Sequence, residues 1–229
     1  MKKKEEREAW NLHIEATNDQ FAQEELNLGP WTSYSYINDP KHMSFVLSRY
    51  KFCAKMFDGF NSVLEVGCGD GFGAPIVAQV VDKMHCIDWE NRNVDGNRRR
   101  LKHLTNVTFN KVDISEDKLT DVYDGIFNID VIEHLEPEYE KPFIENMVNC
   151  LDSNGVMIIG TPNETASMHA TFRSDHQHIN LKTAESLKEL MSNYFYNTFI
   201  FSMNDEMIHT GYYPMAHYLF AMGVGKKII

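Results

Sequence analysis

The stretch Val63-Leu64-Glu65-Val66-Gly67-Cys68-Gly69-Asp70-Gly71 decides the fold class. Its first half is short and mostly apolar, as a strand covered on both faces should be. Its second half carries glycines at alternate positions, which lets the backbone turn sharply and approach a ligand closely. Pro75, Ile76, Val77, Val80 and Val81 then mark a helix, with proline tolerated in the first turn. A strand, a glycine turn and a helix N-terminus with free N–H groups together make a receiving site for an anionic group.

Downstream, strands and helices keep alternating. Residues 84–88 read as a second strand, Val94, Leu101 and Leu104 as a helix, 107–113 as a third strand and 124–130 as a fourth. Phe143, Ile144, Met147, Val148 and Leu151 mark a helix closed by Asn154-Gly155, and 155–160 is a fifth, wholly apolar strand. This alternation implies a parallel sheet with helices on both faces. After a helix starting near Thr183, the runs 194–202 and 216–223 have no clear helix between them and are expected to pair antiparallel.

Upstream, Trp10, Ile14, Thr17 and Phe21 fall on one helical stripe, ahead of a break at Gly29-Pro30. Residues 31–37 are aromatic and read as irregular. Asp39 and Pro40 then suggest a helix cap and first turn, with Phe45, Val46, Phe52 and Met56 on its buried side and Asp58-Gly59 as its end. Residues 1–60 are thus expected to form a helical cap or lid, and 61–229 the ligand-binding domain.

The chain of 229 residues is long enough to bury a core without staples, and 43% hydrophobic with 24% charged residues is ordinary for a globular protein. A formal net charge of −11 argues against nucleic acid as a partner, because an acidic surface repels phosphates. The one basic run, Arg98-Arg99-Arg100-Leu101-Lys102-His103, reads as a solvated helix face. Cys53, Cys68, Cys86 and Cys150 form no C-x-x-C pair, so reduced thiols in a cytoplasmic protein are expected. The basic start is followed by acidic residues with no secretory or membrane-spanning stretch. Monomer and homodimer are both compatible with the sequence.

In an open α/β sheet, ligands bind beyond the carboxyl ends of the strands. Gly67, Cys68, Gly69 and Gly71 follow strand one, Asp88 and Trp89 close strand two, Asp113 and Ile114 follow strand three, and Asn128 and Asp130 end strand four. Asp88 lies 19 residues after Gly69, a spacing that suits a carboxylate accepting both hydroxyls of a ribose. Asp113 can accept from an adenine amino group, and Glu65 places a negative charge near a ligand that is itself cationic. The glycine turn alone leaves a nicotinamide cofactor open, since Gly69, Gly71 and Ala74 satisfy G-x-G-x-x-A. An NAD-dependent oxidoreductase or epimerase is therefore an alternative, although no Tyr-x-x-x-Lys pair occurs. A non-catalytic ligand-binding protein is another.

The glycine stretch at 63–71, Ile87-Asp88, Asp113-Ile114 and Asp130-Val131-Ile132-Glu133-His134-Leu135 resemble the class I S-adenosylmethionine-dependent methyltransferases. Gly160-Thr161-Pro162-Asn163 and His178-Ile179-Asn180-Leu181 are similar to the branch containing the ubiquinone-biosynthesis O-methyltransferases. The resemblance covers roughly residues 60–200. It implies a Rossmann-like sheet of seven strands with the last antiparallel. It also implies that Glu65, Gly67 and Gly69 hold the methionine part of S-adenosylmethionine, Asp88 the ribose, Asp113 with Ile114 the adenine, and the backbone of Asn128 a further contact. S-adenosylhomocysteine would be the product.

Methyl transfer from a sulfonium needs an aligned acceptor, exclusion of water and, for a hydroxyl acceptor, a base. His134, with Asp130 and Glu133 beside it, is expected to do that work at the end of strand four, since histidine ordinarily titrates near neutral pH. The quinone enzymes carry Glu-x-x-Glu-His here, which makes a divalent metal conceivable. The aspartate of this chain is one methylene shorter, and no metal ligand is assigned. Residues 168–178, with His169, Arg173, His176 and His178, form a polar insertion on the rim. Asn163, Arg173 and His178 are expected to meet a small-molecule acceptor, Arg173 through an anionic group. That acceptor is read as a small polar metabolite, or a glycan- or nucleotide-linked intermediate. A quinone precursor or other phenol is the alternative, though no basic amphipathic helix offers it a membrane surface.

Overall fold

The computed structural model of the protein describes residues 2–21, 26–169 and 177–228. Their elements run α1 (Lys2–Phe21), α2 (Pro30–Asn38), α3 (His42–Met56), β1 (Ser62–Val66), α4 (Ala74–Ala78), β2 (Lys83–Asp88), α5 (Asn91–Arg100), β3 (Val107–Lys111), β4 (Tyr123–Ile129), α6 (Pro137–Asn149), β5 (Leu151–Pro162), α7 (Ala184–Ser192), β6 (Phe195–Asn204), β7 (Met207–His209) and β8 (Tyr218–Lys226). One eight-stranded sheet is ordered β3-β2-β1-β4-β5-β8-β6-β7. The first five strands are parallel, and β8 slots between β5 and β6 antiparallel to both. The parallel sheet with a final antiparallel strand is thus borne out. Short β7 adds an edge strand to the seven expected, turning back on β6 at Asp205, which holds a positive φ of 50°.

Strand alternation sorts the core into two layers. Leu64, Val66, Ile126, Met157 and Ile159 face α6 and α7, where Phe143, Ile144, Met147, Leu187 and Met191 are buried. Val63, Cys86, Phe127 and Ile158 face the other way, onto Tyr50, Cys53 and Phe57 and onto Val77 of α4. Phe57 and Phe127 meet at 5.8 Å between ring centroids, and Phe52 lies 4.7 Å from Phe220. Truncating a fully buried phenylalanine such as Phe127 would cost about 3–5 kcal/mol. Helix α3 is therefore part of the sheet's covering layer.

Four local readings change. Residues 31–37 are helical rather than irregular. Their helix has Pro30 in its first turn and Gly29 at its N-cap, with no cap side chain of its own. Asp39 ends α2 instead of starting α3, its N–H donating to Ser35 O at 2.8 Å. Phe45, Val46, Phe52 and Met56 are only partly buried, while Met43, Arg49, Tyr50, Cys53 and Ala54 form the inner face of α3. The Asn154-Gly155 turn does exist, but inside β5. That strand already pairs Leu151 with Tyr123, and Asn154 N donates to Asp152 Oδ1 at 2.8 Å as the chain bulges. Helix α1 exposes Trp10 and Ile14, and the side chains of Thr17 and Phe21 lie outside the described residues. Among the described residues no helix is long and apolar enough to cross a membrane.

Candidate active site

The glycine loop leaves β1 through three left-handed positions, with φ of 76° at Gly67, 49° at Gly69 and 65° at Gly71. Gly67 N and Cys68 N both donate to Ile87 O, at 2.8 and 3.0 Å, which ties the loop to the end of β2. A Cβ on Gly67 would lie 2.4 Å from Val131 Cγ2, whereas one on Gly69 would meet nothing within 4 Å. Gly69 thus borders free space on the side a ligand would take. Asp88, 5% exposed, is held ready there. Its Oδ2 accepts from Gly69 N and its Oδ1 from Glu90 N, both at 2.8 Å; Asn93 Nδ2 also donates to Oδ1 at 3.3 Å, so Oδ2 is the oxygen that keeps acceptor capacity for a hydroxyl.

The loop opens on a cleft of about 1610 Å³ at the carboxyl ends of the parallel strands. Of the residues singled out from sequence, Gly67, Gly69, Asp88, Trp89, Asp113 and Ile114 line one part of it. Asp130, Glu133, His134, Asn163 and His178 line the other. Asp113 accepts from Ser115 N at 3.1 Å and from Ser115 Oγ.

Glu65, Cys68 and Asn128 are not on the cleft wall. Alternation along β1 turns Glu65 toward α3, where it is 1% exposed and accepts from Cys86 Sγ at 3.3 Å. Burial pushes its carboxyl up to about 8, so near neutral pH it carries little of the charge expected of it. Cys68 packs behind the loop against Asn97 Nδ2, and Asn128 is fully buried against Met147. Arg173, His176 and the side chain of His169 lie outside the described residues. In the basic run Arg98, Arg99, Lys102 and His103 are exposed, as a solvated face should be, while Arg100 reaches the loop, donating to Asp70 O at 3.0 Å and to Asn97 Oδ1 at 2.6 Å. Arg98 Nε donates to Phe109 O at 2.9 Å.

At the other end, Asp130 sits in a left-handed conformation with φ of 58°, unusual for a non-glycine residue. Arg49 reaches it from α3, Nη1 to Oδ2 at 2.6 Å, with its guanidinium 3.9 Å above the Tyr218 ring. Burial opposes the charge on Arg49, and Asp130 together with Tyr218 and Glu133 more than restores it. Glu133 is fully buried, with Oε2 accepting from Thr161 Oγ1 at 3.1 Å and Oε1 without a partner. Burial, then the charge of Asp130, raises its carboxyl.

His134 Nδ1 lies 2.9 Å from Gln177 O, and a carbonyl only accepts, so the hydrogen sits on Nδ1 and Nε2 keeps a lone pair. His178 stacks edge-on to it at 5.1 Å, and burial followed by His134 lowers the His178 pKa. Ligand atoms of Glu133, His134 and His178 all lie within 4.8 Å of one another, an arrangement able to hold a cation. Asp130 is not in that set and is engaged by Arg49 instead. Sequence reading missed Arg49, His42 and His217 on this wall. The legible signal for Arg49 was a charge at helical spacing within the buried stripe Met43, Tyr50, Cys53.

A sequence profile described as a methyltransferase domain matches residues 38–197. The chain belongs to the methyltransferase-domain family. The resemblance to S-adenosylmethionine-dependent methyltransferases is borne out by named relatives. A probable S-adenosylmethionine-dependent methyltransferase of Mycolicibacterium smegmatis is 31% identical over 107 residues, 44% of this chain and 38% of the relative. A ubiquinone biosynthesis O-methyltransferase of Rickettsia typhi is 31% identical over 104 residues, 45% of this chain and 42% of the relative. The matched part of the chain spans about two fifths of these relatives' length. Among solved structures, the N-methyltransferase NodS of Bradyrhizobium japonicum with S-adenosyl-L-homocysteine superposes with a TM-score of 0.62. It is 18% identical, over 91% of this chain and 98% of that one, a likeness of fold.

Proposed function

We propose that this chain binds S-adenosylmethionine in the cleft and methylates the hydroxyl of a small polar metabolite, or of a glycan- or nucleotide-linked intermediate. One observation carries the reading: a single cleft joins the glycine loop, Asp88 and Asp113 to the Asp130–His134 segment and His178. The residues fit the donor, since Gly69 leaves room for it and Asp88 is preset to accept from a ribose. When bound, S-adenosylmethionine supplies an electrophilic methyl group and departs as S-adenosylhomocysteine.

The chain's own work is at the acceptor. His134 Nε2 takes the hydroxyl proton as the oxygen forms its bond to carbon, and the Gln177 carbonyl steadies the imidazolium through Nδ1. Arg49 and Asp130 neutralise each other, and burial with the Arg49 charge lowers the His42 pKa, so the acceptor end is polar without strong net charge. That character favours a polar acceptor over the phenolic alternative. The four buried free thiols support a reducing, cytoplasmic setting.

The Glu133, His134 and His178 cluster favours a second reading, in which a divalent cation there activates the acceptor oxygen. Polar metabolites and hydrophobic phenols, incubated with the protein and S-adenosylmethionine and read by mass spectrometry, test the proposal. Gain of one methylene unit on polar compounds supports it, and methylation of phenols alone overturns it. Full activity after complete chelation removes the metal reading.

A further inference from the structure

Asp70 lies between two glycines of the donor loop, is 7% exposed, and has work there that the donor site does not explain. Its Oδ2 accepts the N–H of Thr32 at 2.8 Å. Thr32 is the third residue of α2, where a helix's own N-cap side chain usually supplies an acceptor. Gly29, the N-cap of α2, has no side chain to do so. A carboxylate 38 residues further along the chain therefore caps α2 in its stead.

The junction is close-packed. A Cβ on Gly29 would lie 2.7 Å from Asp70 Cγ and 2.8 Å from Arg100 Nη2, and Gly29 has a φ of 85°. Arg100 Nη2 also donates to Asp70 O at 3.0 Å and stands 3.8 Å from Oδ1, so the loop, α2 and α5 meet at one carboxylate. From this anchor α2 carries Trp31, Tyr34 and Ser35 onto the cleft wall, facing the same space as Gly69 and Asp88.

We propose that Asp70 is a positioning residue that fastens α2 to the donor loop, so that bound donor holds α2 in place and α2 in turn retains the donor. By linkage, whatever α2 adds to donor affinity the donor must return as stability of α2. The inference rests on the donor reading given under Proposed function.

Hydrogen exchange of residues 31–38 with and without S-adenosylhomocysteine, alongside calorimetry and dissociation kinetics, tests it. In the unmodified protein the ligand is expected to slow exchange in α2. In Asp70→Ala that protection disappears and affinity falls about fivefold to tenfold, on the scale of a lost helix cap, through faster dissociation. Asp70→Asn, whose amide oxygen still accepts from Thr32, restores most of both; a general loss of stability would instead speed exchange across the sheet. Thr32→Pro removes the donor N–H with the loop intact and gives the same result should Asp70→Ala not fold. Variants that keep the original dissociation rate and ligand-dependent protection overturn the latch. Failure of the unmodified protein to bind the ligand at all instead overturns the donor reading beneath it.

Discussion

Adding one methyl group at Gly69 and one at Gly67 should have different consequences, although the residues are two apart and both left-handed. An alanine at either position pays the steric cost of a left-handed L-residue, about 1–2 kcal/mol. At Gly69 the new Cβ meets nothing within 4 Å, so that cost is the whole effect on stability. For a chain of 229 residues it corresponds to a fall in Tm of roughly 2–8 °C. The methyl group then stands in the space assigned to the donor, and S-adenosylhomocysteine should bind at least about tenfold more weakly, a loss of ~1.4 kcal/mol. At Gly67 the Cβ would lie 2.4 Å from Val131 Cγ2, adding about 1–3 kcal/mol of overpacking. Gly67→Ala should therefore be the less stable variant, and Val131→Ala should partly rescue it, because the two changes share one contact. Differential scanning calorimetry and isothermal titration read both effects. Gly69→Ala binding S-adenosylhomocysteine as tightly as the unmodified protein would refute the placement of the donor against this loop.

Glu65 gives a pH signature. Its carboxyl moves from 4.5 to about 8 on folding, so the folded state holds a proton that the unfolded chain releases. The resulting stability is present below pH 4.5 and is lost as pH rises toward 8, at about 1.4 kcal/mol per unit and roughly 5 kcal/mol over the window. In Glu65→Gln, denaturant midpoints at pH 5 and pH 8 should show that dependence flattened; an unchanged slope would mean Glu65 is not the buried acid responsible. Arg49→Met leaves Asp130, a third exposed on the cleft wall, without its partner in a left-handed conformation, and should cost about 1–3 kcal/mol in a urea melt. Met at 49 combined with Asp130→Asn should recover part of it. Once an acceptor is found, His134→Asn should cut kcat about 10²–10⁴-fold with little change in S-adenosylhomocysteine affinity. Equal losses in kcat and affinity would remove His134 from the role of base.

The parallel sheet and the strand-end carboxylates were legible because both rest on local pattern: apolar runs of strand length, helical spacing between them, and glycines that free the backbone. Asp88, Asp113 and His134 fall at the cleft for that reason. What was not legible depends on contacts distant in the chain. Helix α2 is built from aromatic and β-branched residues of modest helix propensity and receives its cap from Asp70, so within residues 30–38 Pro30 in the first turn is the one local start signal. Arg49 becomes part of the site only when α3 packs on the sheet opposite Asp130. Glu65 was misread for a related cause. The glycine turn suggests a charge beside the ligand, but strand alternation had already sent that side chain into the layer under α3. The bulge in β5 likewise hid a strand behind a genuine Asn-Gly turn.

Calorimetric titration of the protein with S-adenosylhomocysteine and, separately, with NAD decides which ligand the glycine loop receives. One site for S-adenosylhomocysteine, weakened by Asp88→Ala and by Gly69→Ala, and no heat from NAD are expected. Binding of NAD with none of S-adenosylhomocysteine would contradict the donor reading.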